Sequence, residues 1–255
     1  MLTRKRGFYE KYVKRLLDIL CALLAIILFS WLYLILAVIV RVKMGSPVFF
    51  RQPRPGMISP KTGREQIFNM HKFRTMADQT DDVGDLLPDD QRLTPFGRVL
   101  RATSFDELPE VFNILKGDMS VVGPRPMLVR DMVFMDDEIR RRHTAKPGLT
   151  GLAQVNGRNA IPWEKKFEWD LKYIEKVTFL NDLKIVCRTF LKVFGKTETS
   201  QEIEVTDDYG DALLKAGKIS KEEYDEWRYT YPEIPRERER AEHDAARDRM
   251  KHETK

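Results

Sequence analysis

A chain of 255 residues, 33% of them charged and with a formal net charge of +5, can hold one sizeable core, or one core with an appendage. Both signs are abundant and no stripe alternates aromatic with basic side chains, so the small positive excess suits anionic lipid or nucleotide phosphate and argues against a nucleic-acid partner. Cys21 and Cys187 are far apart and lack metal-ligand or redox-motif spacing, which points to reduced, packed thiols.

Phe8, Tyr12, Leu16, Ile19 and Leu20 recur at helical spacing with basic residues between them, the pattern of a helix lying at a membrane interface. From Ile19 to Val40 the chain carries no charge, enough for about 33 Å of helix against a hydrocarbon core of about 30 Å. No small-residue cleavage site follows, so the segment reads as a retained anchor. Basic residues flank it on both sides, Arg4 to Arg15 before and Arg41 to Arg54 after, and each flank favours the cytoplasmic face. Two topologies stay open: a straight span, or a re-entrant helix broken near Ser30, whose hydroxyl can satisfy a freed carbonyl.

Residues 44–64 are rich in Gly, Pro and Arg and read as loop, with Val48-Phe49-Phe50 and Gln66-Ile67-Phe68 as short strands. Asp78 to Asp90 is an acidic surface loop. Phe105, Leu108, Phe112 and Leu115 share a helical face that Gly117 ends, and Met127 to His143 reads as an amphipathic helix facing either lipid headgroups or the core. Trp163 to Lys192 is mostly helical. Beyond about Gly195 dense mixed charge replaces aliphatic residues, as in a solvated helix or disordered tail. The expected organisation is a mixed α/β, mainly helical fold: residues 1–43 the membrane helix with its basic flanks, 44–194 a small cytoplasmic catalytic domain, and 195–255 a charged extension.

The chemistry centres on Ser104-Phe105-Asp106-Glu107, which fits a capping box and places two carboxylates in a first helical turn. Plain capping and dipole compensation would account for them. Adjacent residues diverge by about 100° around a helix, so the pair converges only on an object at the helix end, such as a phosphate with Mg²⁺. A carboxylate nucleophile suits exchange of one phosphoanhydride for another, because the acyl phosphate formed keeps the phosphoryl group activated. Lys72, Arg74, Arg101, Arg125 and Arg158 can neutralise a diphosphate.

Several ordered motifs then carry a resemblance: Lys14-Arg15-Leu16-Leu17-Asp18, Arg54-Pro55-Gly56, Lys72-Phe73-Arg74-Thr75-Met76, Asp106-Glu107, Asn113 to Ser120, Val122-Gly123-Pro124-Arg125-Pro126, Pro147 to Gly151, Gln154 to Arg158 and Asp182-Leu183-Lys184-Ile185. Together they resemble the small monotopic phosphoglycosyl transferases of the bacterial sugar transferase family. That resemblance implies transfer of a sugar 1-phosphate from a UDP-sugar to undecaprenyl phosphate with release of UMP, on the cytoplasmic face of a bacterial inner membrane. It implies Asp106 as nucleophile, forming a covalent phosphosugar intermediate, with Glu107 as its partner and Mg²⁺ associated with the two. Arg101 would lie near the acceptor phosphate, while Lys72, Arg125 and Arg158 would serve diphosphate or nucleotide. Asp170 and Asp182 match acidic family positions and join the substrate-binding candidates. Membrane phospholipid and downstream glycosyltransferases are the implied partners, and a diacetamido sugar is the favoured donor moiety. The chain departs from the pattern where Trp31, not proline, follows Ser30, in the Met57 to Lys61 loop, and in the tail. A membrane-anchored protein that binds a nucleotide sugar or a partner without catalysis is the alternative.

Overall fold

The computed structural model describes residues 4–79, 89–157, 160–194 and 208–230. The chain opens with a π-helical turn, Tyr9–Val13, that runs directly into α1, Lys14–Met44, and Gly45 at φ 77° stops it. Together they form the one helix among the described residues long and apolar enough to cross a membrane, Tyr9–Met44. It continues unbroken through Ser30, whose Oγ donates to the Ile27 carbonyl at 3.1 Å. The expected break is therefore not seen. Trp31 supplies the backbone N–H that proline would lack, so nothing forces the ladder open.

Beyond α1 come β1 (Phe49–Ile58) and β2 (Glu65–Phe73), an antiparallel ribbon with Phe49 opposite Phe73. β1 runs straight through Arg51 to Gly56, where the composition suggests loop. In a two-stranded ribbon both strands are edges, and Pro53 and Pro55 have the same parity, so both missing N–H groups can fall on the open side. Then follow α2 (Asp89–Arg92), α3 (Pro95–Ala102), a 3-10 turn Phe105–Glu107, α4 (Glu110–Lys116) and β3 (Ser120–Val122). The stretch expected to be one amphipathic helix is instead a 3-10 turn Val129–Phe134, α5 (Asp137–Arg140) and a second 3-10 turn Arg141–Thr144. It buries Met132, Phe134, Arg142 and His143, so it is core and not a headgroup-facing helix. β4 (Gly148–Thr150), α6 (Leu152–Val155), α7 (Trp163–Glu175) and α8 (Phe179–Phe194) complete the body.

β3 and β4 pair in parallel, Ser120 with Gly148 and Val122 with Thr150. The backbones approach so closely that a Cβ on Gly123 would meet the Lys146 carbonyl at 2.3 Å, and one on Gly148 the Gly123 nitrogen at 2.0 Å. Two glycines are thus required to set the loop that follows β3. Within the charged extension, α9 (Tyr209–Lys215) and α10 (Lys221–Thr230) bury Tyr209 and Tyr224 against Phe134 and Phe167. Part of the expected solvated tail is therefore packed, and the stretch from 231 to the end lies outside the described residues, as does most of the acidic run.

The body packs along one stripe of α1. Asp18 Oδ1 accepts from Ser120 Oγ and Val121 N at 2.9 Å each, Ala22 enters the cluster of Phe68, Val111, Ile114 and Met119, and the Tyr33 hydroxyl donates to the Leu108 carbonyl. Leu36 and Val40 meet Phe73 and Leu100. From Lys14 to Val40 this seam covers about 39 Å of helix. The opposite stripe, including Leu20, Leu24, Ile27, Trp31 and Leu34, is exposed. Downstream, the single helical face expected for Phe105, Leu108, Phe112 and Leu115 is divided between the 3-10 turn Phe105–Glu107 and α4. Val111 and Ile114 are buried, while Phe105 and Phe112 stand 38% and 43% exposed, with Phe112 against Tyr33 of α1. Apolar side chains can point outward where lipid is the solvent.

At the start of the seam the Lys14 ammonium is ion-paired with Asp182, which also accepts from Tyr9 Oη at 2.9 Å and Tyr173 Oη at 3.0 Å. Lys14→Met leaves a buried carboxylate without its cation and should destabilise the protein by roughly 3–5 kcal/mol. Lys165→Met, which breaks the exposed pair with Glu168, should cost less than about 1 kcal/mol. Thermal unfolding in detergent micelles compares them, and equal losses would contradict the assignment of Lys14–Asp182 as a buried tie.

Candidate active site

α3 begins at Thr94, whose Oγ1 accepts from Gly97 N at 2.9 Å, with Pro95 in the first turn. It ends at Thr103, and Ser104 then adopts a left-handed conformation, φ 56° and ψ 19°. That turn replaces the expected capping box: Ser104 makes no side-chain cap, and Asp106 and Glu107 occupy a single 3-10 turn before Pro109 starts α4. The left-handed residue re-aims the chain so that Asp106 is buried, 7% exposed.

Two elements converge on Glu107. Lys72 from β2 lies 2.7 Å from Glu107 Oε1, and the Arg125 guanidinium from the loop after β3 is ion-paired with the same oxygen. Lys72 also lies 3.3 Å from Oε1 of Glu110, a fully buried carboxylate one turn further along. Arg101 donates from Nε to Thr75 Oγ1 at 3.2 Å and adds positive potential at Asp106. Asp106 itself accepts no hydrogen bond and forms no ion pair among the described residues.

The electrostatics separate the carboxylates. Burial pushes Asp106 up to about 6, with Lys72 opposing the shift and the Glu107 charge adding to it. Burial acts on Glu107 in the same direction, but Arg125 and Lys72 overcome it and hold the group well below the ordinary range. Glu110 is pushed up to about 7 by burial, again against Lys72. One carboxylate is locked as an anion and its neighbour is left poised.

Support for this arrangement comes from behind. Asn113 accepts from His71 N at 3.0 Å and donates to the Asn69 carbonyl at 2.8 Å, which clamps α4 to β2 just before Lys72. Arg142, buried, donates to the Arg125 carbonyl at 2.6 Å and to Asp170 Oδ2 at 2.6 and 2.9 Å. Arg54 donates to the Pro126 carbonyl at 3.2 Å.

The expected site residues therefore divide. Lys72, Arg101, Arg125, Asp106 and Glu107 come together. Asp170 and Asp182 do not: both are buried in ion pairs with Arg142 and Lys14, which need their charge for the scaffold. Arg74 also stands apart, because β2 ends at Phe73 and the guanidinium turns back to the Ser46 and Met76 carbonyls, each at 3.1 Å, and to Asp78 at 2.8 Å. Arg158 lies outside the described residues. Glu110 was missed by the sequence reading, although its three-residue spacing from Glu107 offered the signal.

Among the described residues no group of three or more metal-ligating side chains gathers. Mg²⁺ in phosphoryl-transfer sites needs only one or two carboxylates beside phosphate oxygens and water, and the unpartnered Asp106 carboxylate beside Glu107 fits that requirement.

The family model for bacterial sugar transferases matches residues 9–196. The chain belongs to the bacterial sugar transferase family. It is a phosphoglycosyl transferase. An uncharacterized sugar transferase, EpsL of Bacillus subtilis, is 47% identical over 194 residues, covering 76% of this chain and 93% of that protein. The UDP-glucose:undecaprenyl-phosphate glucose-1-phosphate transferase of Xanthomonas campestris is 40% identical over 204 residues, covering 75% of this chain and 40% of the relative. The undecaprenyl-phosphate galactose phosphotransferase of Salmonella typhimurium is 34% identical over 197 residues, covering 71% and 40%. This chain thus spans about two fifths of those two larger transferases. The family match stops near the end of α8, so α9 and α10 lie beyond the matched residues.

A carboxyl whose folded pKa is raised holds its proton more tightly when folded, so stability falls as pH rises from the unfolded value of about 3.9. Asp106 therefore weakens the fold above about pH 6. Asp106→Asn should melt higher than wild type at pH 8, and the difference should vanish below about pH 4. A lower melting temperature for the variant at pH 8 would contradict the buried, unpartnered placement.

Proposed function

We propose that this enzyme transfers a sugar 1-phosphate from a UDP-sugar to undecaprenyl phosphate, through an aspartyl phosphosugar on Asp106. The observation that carries the reading is the unpartnered Asp106 carboxylate beside a Glu107 that is neutralised by Lys72 and Arg125. In the first step an Asp106 carboxylate oxygen attacks the sugar-linked phosphorus, and the anhydride bond to UMP breaks. UMP leaves with the electron pair. In the second, an oxygen of the lipid phosphate attacks the acyl phosphate, forming a new diphosphate and restoring the carboxylate. Arg101, Lys72 and Arg125 stabilise the charge that develops on the transferring group.

Mg²⁺, held by Asp106 and Glu107, would supply further neutralisation of the donor diphosphate. The UDP-glucose named for the Xanthomonas relative and the galactose named for the Salmonella one make UDP-linked glucose and galactose the first to test, ahead of a diacetamido sugar.

The enzyme works at a bacterial inner membrane, and the body faces the cytoplasm. Both ends of α1 dock on one body, which supports a reading in which both ends lie on one side of the bilayer. A straight span would carry α4 into hydrocarbon with Lys116, whose side chain is 70% exposed. The exposed stripe of α1 instead rests in phospholipid. The lipid-linked product then passes to glycosyltransferases that extend it.

Asp106→Asn should abolish turnover, and wild-type UMP release should require polyprenyl phosphate. A variant with normal turnover removes Asp106 from the nucleophile's role, and release without the lipid indicates a hydrolase. A protein that only binds would release no UMP at all. The kcat/KM of the wild type should fall about tenfold per pH unit below about pH 6, where Asp106 is protonated. For topology, single cysteines at Lys5→Cys and Lys43→Cys, in a background without Cys21 and Cys187, should react with an impermeant reagent from the same side. Opposite-side labelling would establish a span.

A further inference from the structure

The amino-terminal end of α1 borders a small open cleft that the chemistry above leaves unused, lined by Arg6, Glu10, Lys14, Arg15, Asp18 and Lys146 among others. Its acids are already engaged. Glu10 pairs with Arg4 at 2.8 Å, and Asp18 accepts from Ser120 and Val121. Lys14 is held by Asp182. What remains is positive. Arg15 is pinned by donating to the Ile114 and Leu115 carbonyls at 2.5 and 2.8 Å, which leaves its other N–H groups available. Arg6 and Lys146 have no hydrogen bond or ion pair among the described residues.

These cations are held close together. A single point beside Gly117, where a Cβ would sit, is 3.2 Å from Arg15 Nη2 and 3.5 Å from Lys146 Nζ. The two nitrogens are therefore under about 7 Å apart, a separation that the oxygens of one phosphate group bridge. Burial pushes the Lys146 ammonium down, and the charges of Arg15 and Arg6 add to that shift while Asp18 and Asp118 oppose it. Phe8, Tyr12 and Leu16, all more than half exposed, continue from this end of the helix as an apolar, lipid-facing surface. Along α1 the cleft is about 27 Å from Tyr33, the helix residue that touches the catalytic turn.

We propose that Arg6, Arg15 and Lys146 form a second anion site, separate from the catalytic one, that takes a phosphate group at the membrane surface. Two sources share that chemistry, an anionic phospholipid headgroup and free phosphate. Full-length protein in nanodiscs of phosphatidylcholine is compared with nanodiscs that also contain phosphatidylglycerol, and with phosphatidylcholine nanodiscs given inorganic phosphate. Acylation of Lys146 by a neutral amine-reactive ester is followed by peptide mass spectrometry, relative to Lys11, which shares the surface but lies outside the cleft. Phosphatidylglycerol should slow Lys146 by about fivefold, as a ligand a few times above its Kd would. Protection by inorganic phosphate in neutral nanodiscs would instead name the free ion as occupant. No protection in either arm overturns the proposal. Native mass spectrometry gives a second readout: a phosphatidylglycerol retained by wild type and by Lys146→Arg should be lost from the Arg6→Gln/Lys146→Gln double variant, while UMP release stays unchanged. Equal retention by the double variant would also overturn the lipid assignment.

Discussion

Glu107 is held by two cations that reach it from different directions, Lys72 on β2 and Arg125 in the loop after β3. Each is remote in sequence from the turn Phe105–Glu107, so this ion bridge exists only when the ribbon, the turn and the parallel β3–β4 pair are all in place. At an effective dielectric constant near 20, opposite charges about 3 Å apart attract by several kcal/mol before the cost of desolvation. The bridge has a chemical consequence. It satisfies one carboxylate so fully that the cations cannot also pair directly with the next, and Asp106 is left buried and without a partner.

Rigid backing makes that imbalance persist. The close passage of Gly123 against Gly148 sets where Arg125 departs from β3, and Arg142, anchored on Asp170, grips the Arg125 carbonyl from the opposite side. Asn113 fixes the strand that carries Lys72. α1 is part of the same frame, because Tyr33 bonds the Leu108 carbonyl one residue beyond Glu107. α1 therefore reaches the turn that carries Asp106, and the exposed Phe105 and Phe112 continue the lipid-facing surface proposed for it. A lipid phosphate arriving along that surface would meet the cations without crossing open water.

Much of this was legible in the sequence for particular reasons. A charge-free apolar run gives a helix long enough to cross a membrane, Gly117 marks a helix end because φ 102° suits glycine, and the Asp106–Glu107 pair, Lys72 and Arg125 sit in motifs of high specificity, with Arg101 five residues before Asp106. The misreadings share a cause, which is that local pattern does not report tertiary partners. Asp170 and Asp182 look like site acids until Arg142 and Lys14 are seen against them. Arg74 has the parity of Lys72, but the strand ends between them. Ser104 has the composition of a cap and the backbone of a left-handed turn. Glu110 is hidden among helix residues and gains meaning only from sharing Lys72 with Glu107.

The central claim is that a phosphorus–oxygen bond forms to the side chain of Asp106. The most direct measurement is rapid quenching of enzyme mixed with UDP-sugar and Mg²⁺ in the absence of lipid acceptor, followed by proteolysis and mass spectrometry under conditions that preserve acyl phosphates. The account predicts a sugar-phosphate mass increment on the peptide containing Asp106, at the Asp106 residue, and its disappearance when polyprenyl phosphate is added. An increment on another residue, or complete turnover with no adduct at any time, would contradict it.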